Sequence, residues 1–180
     1  MKKCLLFGLL VLLIGSKLLA QDYPKALVFG GYQYTHIGSG GADINMNGWN
    51  ASLTGNFNRT FGLTADFSGA YKSISGASAH VYTYTGGPVV SLNSGGKVNP
   101  FVHALFGGAH ATIDTVFAQG IGGGPLTDNG FTMMFGGGAD AKLSPAIAYR
   151  LFQADWVYYR FSGEGESKNV RISTGIVFRF

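Results

Sequence analysis

The sequence predicts an all-β protein, an eight-stranded antiparallel up-and-down transmembrane β-barrel. Three observations carry that prediction. Eight segments alternate apolar with polar or small side chains, the two-residue period of a strand. A short basic and apolar leader precedes them, which makes lipid the expected solvent for their apolar faces. Twenty-nine glycines accompany fourteen Phe, nine Tyr and two Trp, a mixture that suits a closely curved sheet.

Residues 1–20 read as a signal peptide. Lys2 and Lys3 form a basic start, Leu5 to Ile14 an apolar run, and Ser16 to Ala20 lead to cleavage before Gln21. The apolar run is shorter than the roughly 20 residues a bilayer helix needs. The mature chain is then one domain, 21–180. Cys4 is the sole cysteine, so cleavage would remove any disulfide or thiolate chemistry. Loss of Lys2, Lys3 and Lys17 leaves ten basic against nine acidic residues. No basic patch remains to neutralise phosphates, which argues against nucleic acid as a partner.

The first strand is expected near Lys25 to Ile37 and is weakly two-sided. The second, Trp49 to Asn58, is the cleanest: Trp49, Ala51, Leu53, Gly55 and Phe57 share one face, and Asn50, Ser52, Thr54 and Asn56 the other. The third, Phe61 to Tyr71, opposes Phe61, Leu63 and Phe67 to Thr64, Asp66 and Ser68. The fourth, Val81 to Leu92, contains Pro88, which lacks a donor and suggests a bulge. The fifth, Phe101 to Ala111, has weak polarity. Residues 112–129 form the longest predicted connection. The sixth, Phe131 to Leu143, turns Phe131, Met133 and Phe135 one way and Asp140 and Lys142 the other. The seventh, Ile147 to Phe161, places Arg150 on its apolar parity, either snorkelling at the membrane edge or sitting beside a bulge. The last, Asn169 to Phe180, sets Val170, Ile172, Ile176, Phe178 and Phe180 against Arg171, Ser173 and Arg179.

No strand edge can face hydrocarbon with unpaired backbone groups, so the eight strands must close. An even count leaves both ends of the chain on one side. Connections after strands one, three, five and seven are expected to be the longer, external ones. Trp49, Tyr34, Phe57, Phe61, Tyr158 and Phe180 fall near strand ends as aromatic girdle candidates.

Several segments, in order, are similar to small outer-membrane β-barrel proteins of the OmpA transmembrane-domain type. They are F-G-G-Y-Q-Y, W-N-A-S-L-T-G-N-F-N, P-F-V-H-A-L-F-G-G-A, G-G-G-A-D-A-K and S-T-G-I-V-F-R-F. The resemblance implies an integral outer-membrane barrel, surrounded by outer-membrane lipids. It also implies that Ile176, Phe178 and Phe180 form the C-terminal signature read by the barrel-assembly machinery. No peptidoglycan-binding domain of the kind many such barrels carry is expected after this one.

Asp66, Asp140, Asp155 and Arg171 fall on inward parities. Buried charges must pair, so an interior ionic network is expected around Arg171, with Lys142 or Arg179 as further members. It would hold the register and plug a narrow lumen; a gated ion path is the competing reading. His36, His80 and His110 fall outward near the external ends. With Ser39, Ser75 and Ser78 they are the material for a lipid-modifying enzyme, but no orienting carboxylate or catalytic spacing accompanies them. His103 points inward, as a hydrogen-bonded structural histidine. Asp114 and Asp128 match no calcium-loop spacing, and no metal or other cofactor is implied.

The function these residues predict is non-enzymatic. A rigid barrel would present four external loops to an unidentified surface ligand. A narrow channel or small porin is the alternative, followed by a lipid-modifying enzyme and a soluble lipocalin-like binder.

Overall fold

The structure is a computed structural model that describes residues 23–39, 42–74, 77–115, 125–161 and 164–180. The predicted leader, Ser75 and the glycine-rich stretch around Gly122 lie outside the described residues. Eight strands run β1 (Ala26–Ser39), β2 (Ala42–Asn56), β3 (Phe61–Ile74), β4 (Ala77–Ser91), β5 (Val98–Thr115), β6 (Leu126–Lys142), β7 (Ile147–Phe161) and β8 (Glu164–Arg179). Each pairs antiparallel with the next. β1 and β8 pair from Leu27↔Arg179 to Gly38↔Lys168, closing the barrel. Closure leaves no sheet edge for hydrocarbon to meet.

The barrel is inside-out relative to a soluble one. Val28, Tyr32, Trp49, Leu53, Phe67, Tyr84, Phe106, Phe135, Trp156, Ile172 and Ile176 stand exposed on its outer face. Gln33, Asn50, Asp66, His103, Asp155, Arg171 and Ser173 are buried within it. On β3 the apolar outer face runs from Phe61 to Tyr71. That is about 33 Å of strand, or about 25 Å in height at a tilt near 40°, the thickness of an outer-membrane apolar band. Beyond Tyr71 the outer face turns polar, with His36, Asn45, Asn47, Ser73, His80, His110 and Asn129. The strands therefore project past the belt at one end only.

The other end carries Tyr23 and Phe180, the first and last described residues, and three tight turns. Asn58 Oδ1 accepts from the backbone N–H of Thr60 and of Phe61, both 2.8 Å, to form the β2–β3 turn. Ser144 Oγ accepts from Ile147 N at 3.0 Å in the β6–β7 turn. Asn99 Oδ1 accepts from Asn93 N at 3.1 Å across the β4–β5 turn.

Three sequence expectations need correction. Pro88 makes no bulge: the β4–β5 register is the same at Gly86↔Phe106 as at Val89↔His103. Its missing donor coincides with a gap in the β4–β5 pairing at Gly87 and Pro88, while pairing to β3 continues through both. The connections after β1, β3 and β7 are not the longer ones, and only that after β5, residues 116–125, exceeds the turns at the other end in length. Residues 40–41, 75–76 and 162–163 suffice because the strands themselves extend beyond the belt. Asp114 and Asp128 accordingly sit on β5 and β6, not in a loop.

β7 does contain a bulge. Ala139 pairs Phe152 while Asp140 pairs Arg150, leaving Leu151 without an opposite residue on β6. Leu151 and Phe152 both face outward. The extra residue reverses the parity of everything before it in β7, and Arg150 turns inward.

Candidate functional site

The lumen is filled in three layers. The outermost is apolar: Met46, Ala70, Val81, Leu105, Ala109, Met134, Val157 and Tyr159 pack together, with Ile37, Ile44 and Phe161 against them. These residues belong to seven of the eight strands, β2 to β7 in the buried cluster and β1 at its edge. The layer spans the bore.

Beneath it lies a charged layer centred on Arg171, 1% exposed. Its Nε donates to Asp155 Oδ2 at 2.8 Å, and its Nη1 donates to Asp66 Oδ1 at 2.7 Å. Its Nη2 also lies 2.7 Å from Asp155 Oδ2. Asp155 is held further by Gln153 Nε2 at 2.8 Å and by His103 Nε2 at 2.7 Å. Asn50 Nδ2 donates to Asp66 Oδ2 at 2.9 Å. One guanidinium thus joins β3, β7 and β8, and its two carboxylates reach β2 and β5. The Gly136 position leaves room for this layer, because a Cβ there would collide with the Asp155 carboxylate.

The third layer is nearest the turns. Arg150 forms a fork with Asp140, Nε to Oδ1 at 2.8 Å and Nη2 to Oδ2 at 3.1 Å. Its guanidinium lies between the rings of Phe29 and Phe101, 4.2 and 4.4 Å from their centroids. Its Nη1 donates to Gln153 Oε1 at 2.6 Å, linking the two charged groups. Leu27, Phe29, Ala148 and Val177 fill the remaining space. The cavity left between these layers is about 20 Å³, room for little more than a water.

Searches of known proteins agree with this architecture at the level of fold. No protein-family profile matches the chain, and neither does any curated protein sequence. Solved structures do match. Neisserial surface protein A superposes with a TM-score of 0.68 at 14% identity, over 87% of this chain and 97% of that one. Ail, the attachment invasion locus protein of Yersinia pestis, gives 0.62 at 17% identity, over 88% and 99%. The N-terminal β-barrel domain of Pseudomonas aeruginosa OprF gives 0.56 at 12%, over 88% and 99%.

The fold is that of the small outer-membrane barrels.

In this barrel the four inward charges read from the sequence do not form one cluster. Asp66, Asp155 and Arg171 meet. Asp140 pairs instead with Arg150. Lys142 is exposed at the end of β6 and takes no part in the network. Arg179 is half-buried and donates to Ser94 O at 3.3 Å. Arg150 was hidden from pattern reading by the bulge. A charged residue on an otherwise apolar parity was the one available signal.

Asn169 also escaped sequence reading. It is fully buried at a second irregularity, where Val157↔Asn169 gives way to Tyr159↔Glu166. Its Nδ2 donates to Val157 O at 3.1 Å and Glu166 O at 2.9 Å, and its Oδ1 accepts from Gly38 N at 3.2 Å. It stitches β7, β8 and β1 where the ladder is interrupted.

The three rim histidines are separated. His36 contacts Asn45 Oδ1 through Nδ1 at 2.7 Å, with Asp43 3.9 Å from its Nε2. His110 contacts Asn129 Oδ1 at 2.8 Å and Thr112 Oγ1 at 3.3 Å. His80 meets the Tyr71 ring edge-on at 5.4 Å. Ser78 lies on β4 opposite Ser73 and Asp114, and Ser39 ends β1. None of these contacts joins a serine hydroxyl to a histidine ring. Ile176, Phe178 and Phe180 point outward in the belt.

Proposed function

We propose that this chain is a closed, non-enzymatic barrel of the outer membrane. Its projecting strand ends are surfaces for contact outside the cell. The observation that carries the reading is the exchange of inside and outside: an apolar belt faces out, and ionic pairs are sealed within. In water the belt would be an aggregation surface far larger than monomers tolerate. In a bilayer it is the solvent-matched face. The absence of a wide bore and the apolar layer across the lumen favour a plug over a channel. The separated histidines support an interfacial role rather than a base and nucleophile.

The ends beyond the belt offer amides, hydroxyls and imidazoles on a rigid frame. Ail has been crystallised with the heparin analogue sucrose octasulfate, and a surface glycan held through hydrogen bonds to these amides and hydroxyls is the partner class suggested for this chain. The route to the membrane would begin with cleavage before Gln21 and use Ile176, Phe178 and Phe180 in assembly.

Planar-bilayer recording tests the closed state. The purified barrel should give no stable openings. Regular single-channel steps in the unmodified protein would overturn the plug and favour the narrow channel.

A further inference from the structure

We propose that the turn-bearing end of the barrel binds the anionic phospholipid headgroups of the leaflet it meets, the periplasmic one. The proposal rests on the membrane-spanning reading. It adds a lipid partner that reading does not require.

Five basic residues ring this end: Lys25, Arg59, Lys97, Lys142 and Arg179. All but the half-buried Arg179 are exposed. They are spread round the mouth by the backbone. Asn56 N donates to Lys25 O at 2.8 Å, which fixes Lys25 beside the end of β2. Arg59 occupies the next turn. Lys142 N donates to Lys97 O at 2.7 Å, bringing those two together across β5 and β6. Arg179 N donates to Ala146 O at 2.8 Å. Among the described residues no acidic side chain is exposed at this end, because Asp140 is turned inward onto Arg150.

The opposite end differs. Lys72, Arg160 and Lys168 share it with Asp43, Asp114, Asp128 and Glu166. Among the described side chains the excess of positive charge therefore lies at one mouth.

The depth of that mouth names the occupant. Phe57, Phe61, Leu92, Leu143 and Phe180 are 40–67% exposed and sit within a few residues of the same bases. Large apolar side chains at that level belong in the acyl boundary. Lysine and arginine stems lie along such surface while their heads reach the phosphates. A soluble acidic protein would have no use for the phenylalanines. Strands that end flush with the belt also leave no polar wall for it to grip. A basic group near an anionic surface gains attraction that falls off within a Debye length.

The test uses the full mature chain in phosphatidylcholine vesicles carrying spin-labelled phosphatidylglycerol or spin-labelled phosphatidylcholine. The fraction of motionally restricted label gives the relative association. Phosphatidylglycerol should be preferred at least about threefold at low salt, with the preference lost by about 0.5 M salt. The variant Lys25→Gln, Arg59→Gln, Lys97→Gln, Lys142→Gln should bring it to parity. Lys72→Gln, Arg160→Gln, Lys168→Gln should leave it intact. If the fourfold variant fails to fold, Lys97→Gln with Lys142→Gln should still lower the preference. Equal association of both lipids with the folded wild type overturns the proposal and leaves the rim for an acidic soluble partner. So does equal loss in the variant of the opposite end. Heat-modifiable gel migration reads insertion separately, so failure of the membrane reading would be seen there first.

Discussion

Replacing Arg171 by methionine removes the one cation between two buried carboxylates. The arrangement sets the magnitude. Asp66 and Asp155 are each about 1% exposed, and Arg171 reaches them at 2.7–2.8 Å. Asp155 would keep His103 and Gln153, and Asp66 would keep Asn50. Neither carboxylate would keep a guanidinium. Stranding buried charge by removing a partner costs about 3–5 kcal/mol. The neutral triple variant Arg171→Met, Asp66→Asn, Asp155→Asn removes the stranded charge as well, and should return to within about 1–2 kcal/mol of wild type. The two variants therefore separate the worth of the ion pairs from the penalty of breaking them. Urea unfolding from short-chain phosphatidylcholine vesicles, followed by Trp fluorescence and heat-modifiable migration, measures both. A loss below about 1 kcal/mol in the single variant, or a triple variant no more stable than the single, would refute the buried-network reasoning.

Other outcomes follow from the same structure. Gly136→Val should cost at least about 3 kcal/mol or block folding, since its side chain would enter the space of the Asp155 carboxylate; equilibrium unfolding measures it. Deleting Leu151 should remove the bulge yet keep Arg150 inward on its fork with Asp140, because Arg150 would then alternate directly with the outward Phe152 and pair Asp140 in a regular ladder. Refolding yield by gel shift should stay near wild type, and a collapse of the yield would deny that Leu151 is the added residue. Arg171→Ala alone should stay silent in planar bilayers, because the apolar layer remains. Leu105→Ser with Met134→Ser added to it should give measurable openings.

The strands were legible because their period is two and one face of each is nearly uniform. Trp49 to Phe57 on β2 and Val170 to Phe180 on β8 needed no tertiary information. The inward placement of Asp66, Asp155 and Arg171 followed from parity alone, for they lie on stretches without an irregularity between them and the pattern that set it. Arg150 was not legible. A single added residue at Leu151 inverts the parity, and nothing local in Y-R-L-F-Q marks which residue is extra. Asn169 was missed for a related reason. Its value lies in groups gathered at a second irregularity, the Glu166 carbonyl of its own strand, the Val157 carbonyl of β7 and the Gly38 N–H of β1, and two of these lie on other strands. Strand length was underestimated because the outer ends carry polar residues on the outward face, as Asn45, His80 and Asn129 show. They look like loop in sequence and are strand above the membrane in space.

The layering of the lumen divides two tasks that a single plug would have to combine. Charged groups are poor seals, because water can follow them and their side chains can exchange partners. A dry apolar layer seals by excluding water, and in the closed barrel proposed above Met46, Leu105, Met134 and Val157 would provide it. Apolar side chains, however, tolerate repacking and specify little about which strand lies beside which. The network supplies that specification. Slipping β8 by one residue would turn Arg171 into lipid, at about 2–4 kcal/mol near the midplane, and would strand Asp66 and Asp155 inside. A slip of β7 would do the same to Asp155. Misregistered closure is thus penalised twice, on both faces of the wall. The ion pairs need not add net stability over a hydrophobic core to be useful in this way. Their use is to make one register of eight strands far better than its neighbours, and the layer above them is then free to be only a seal.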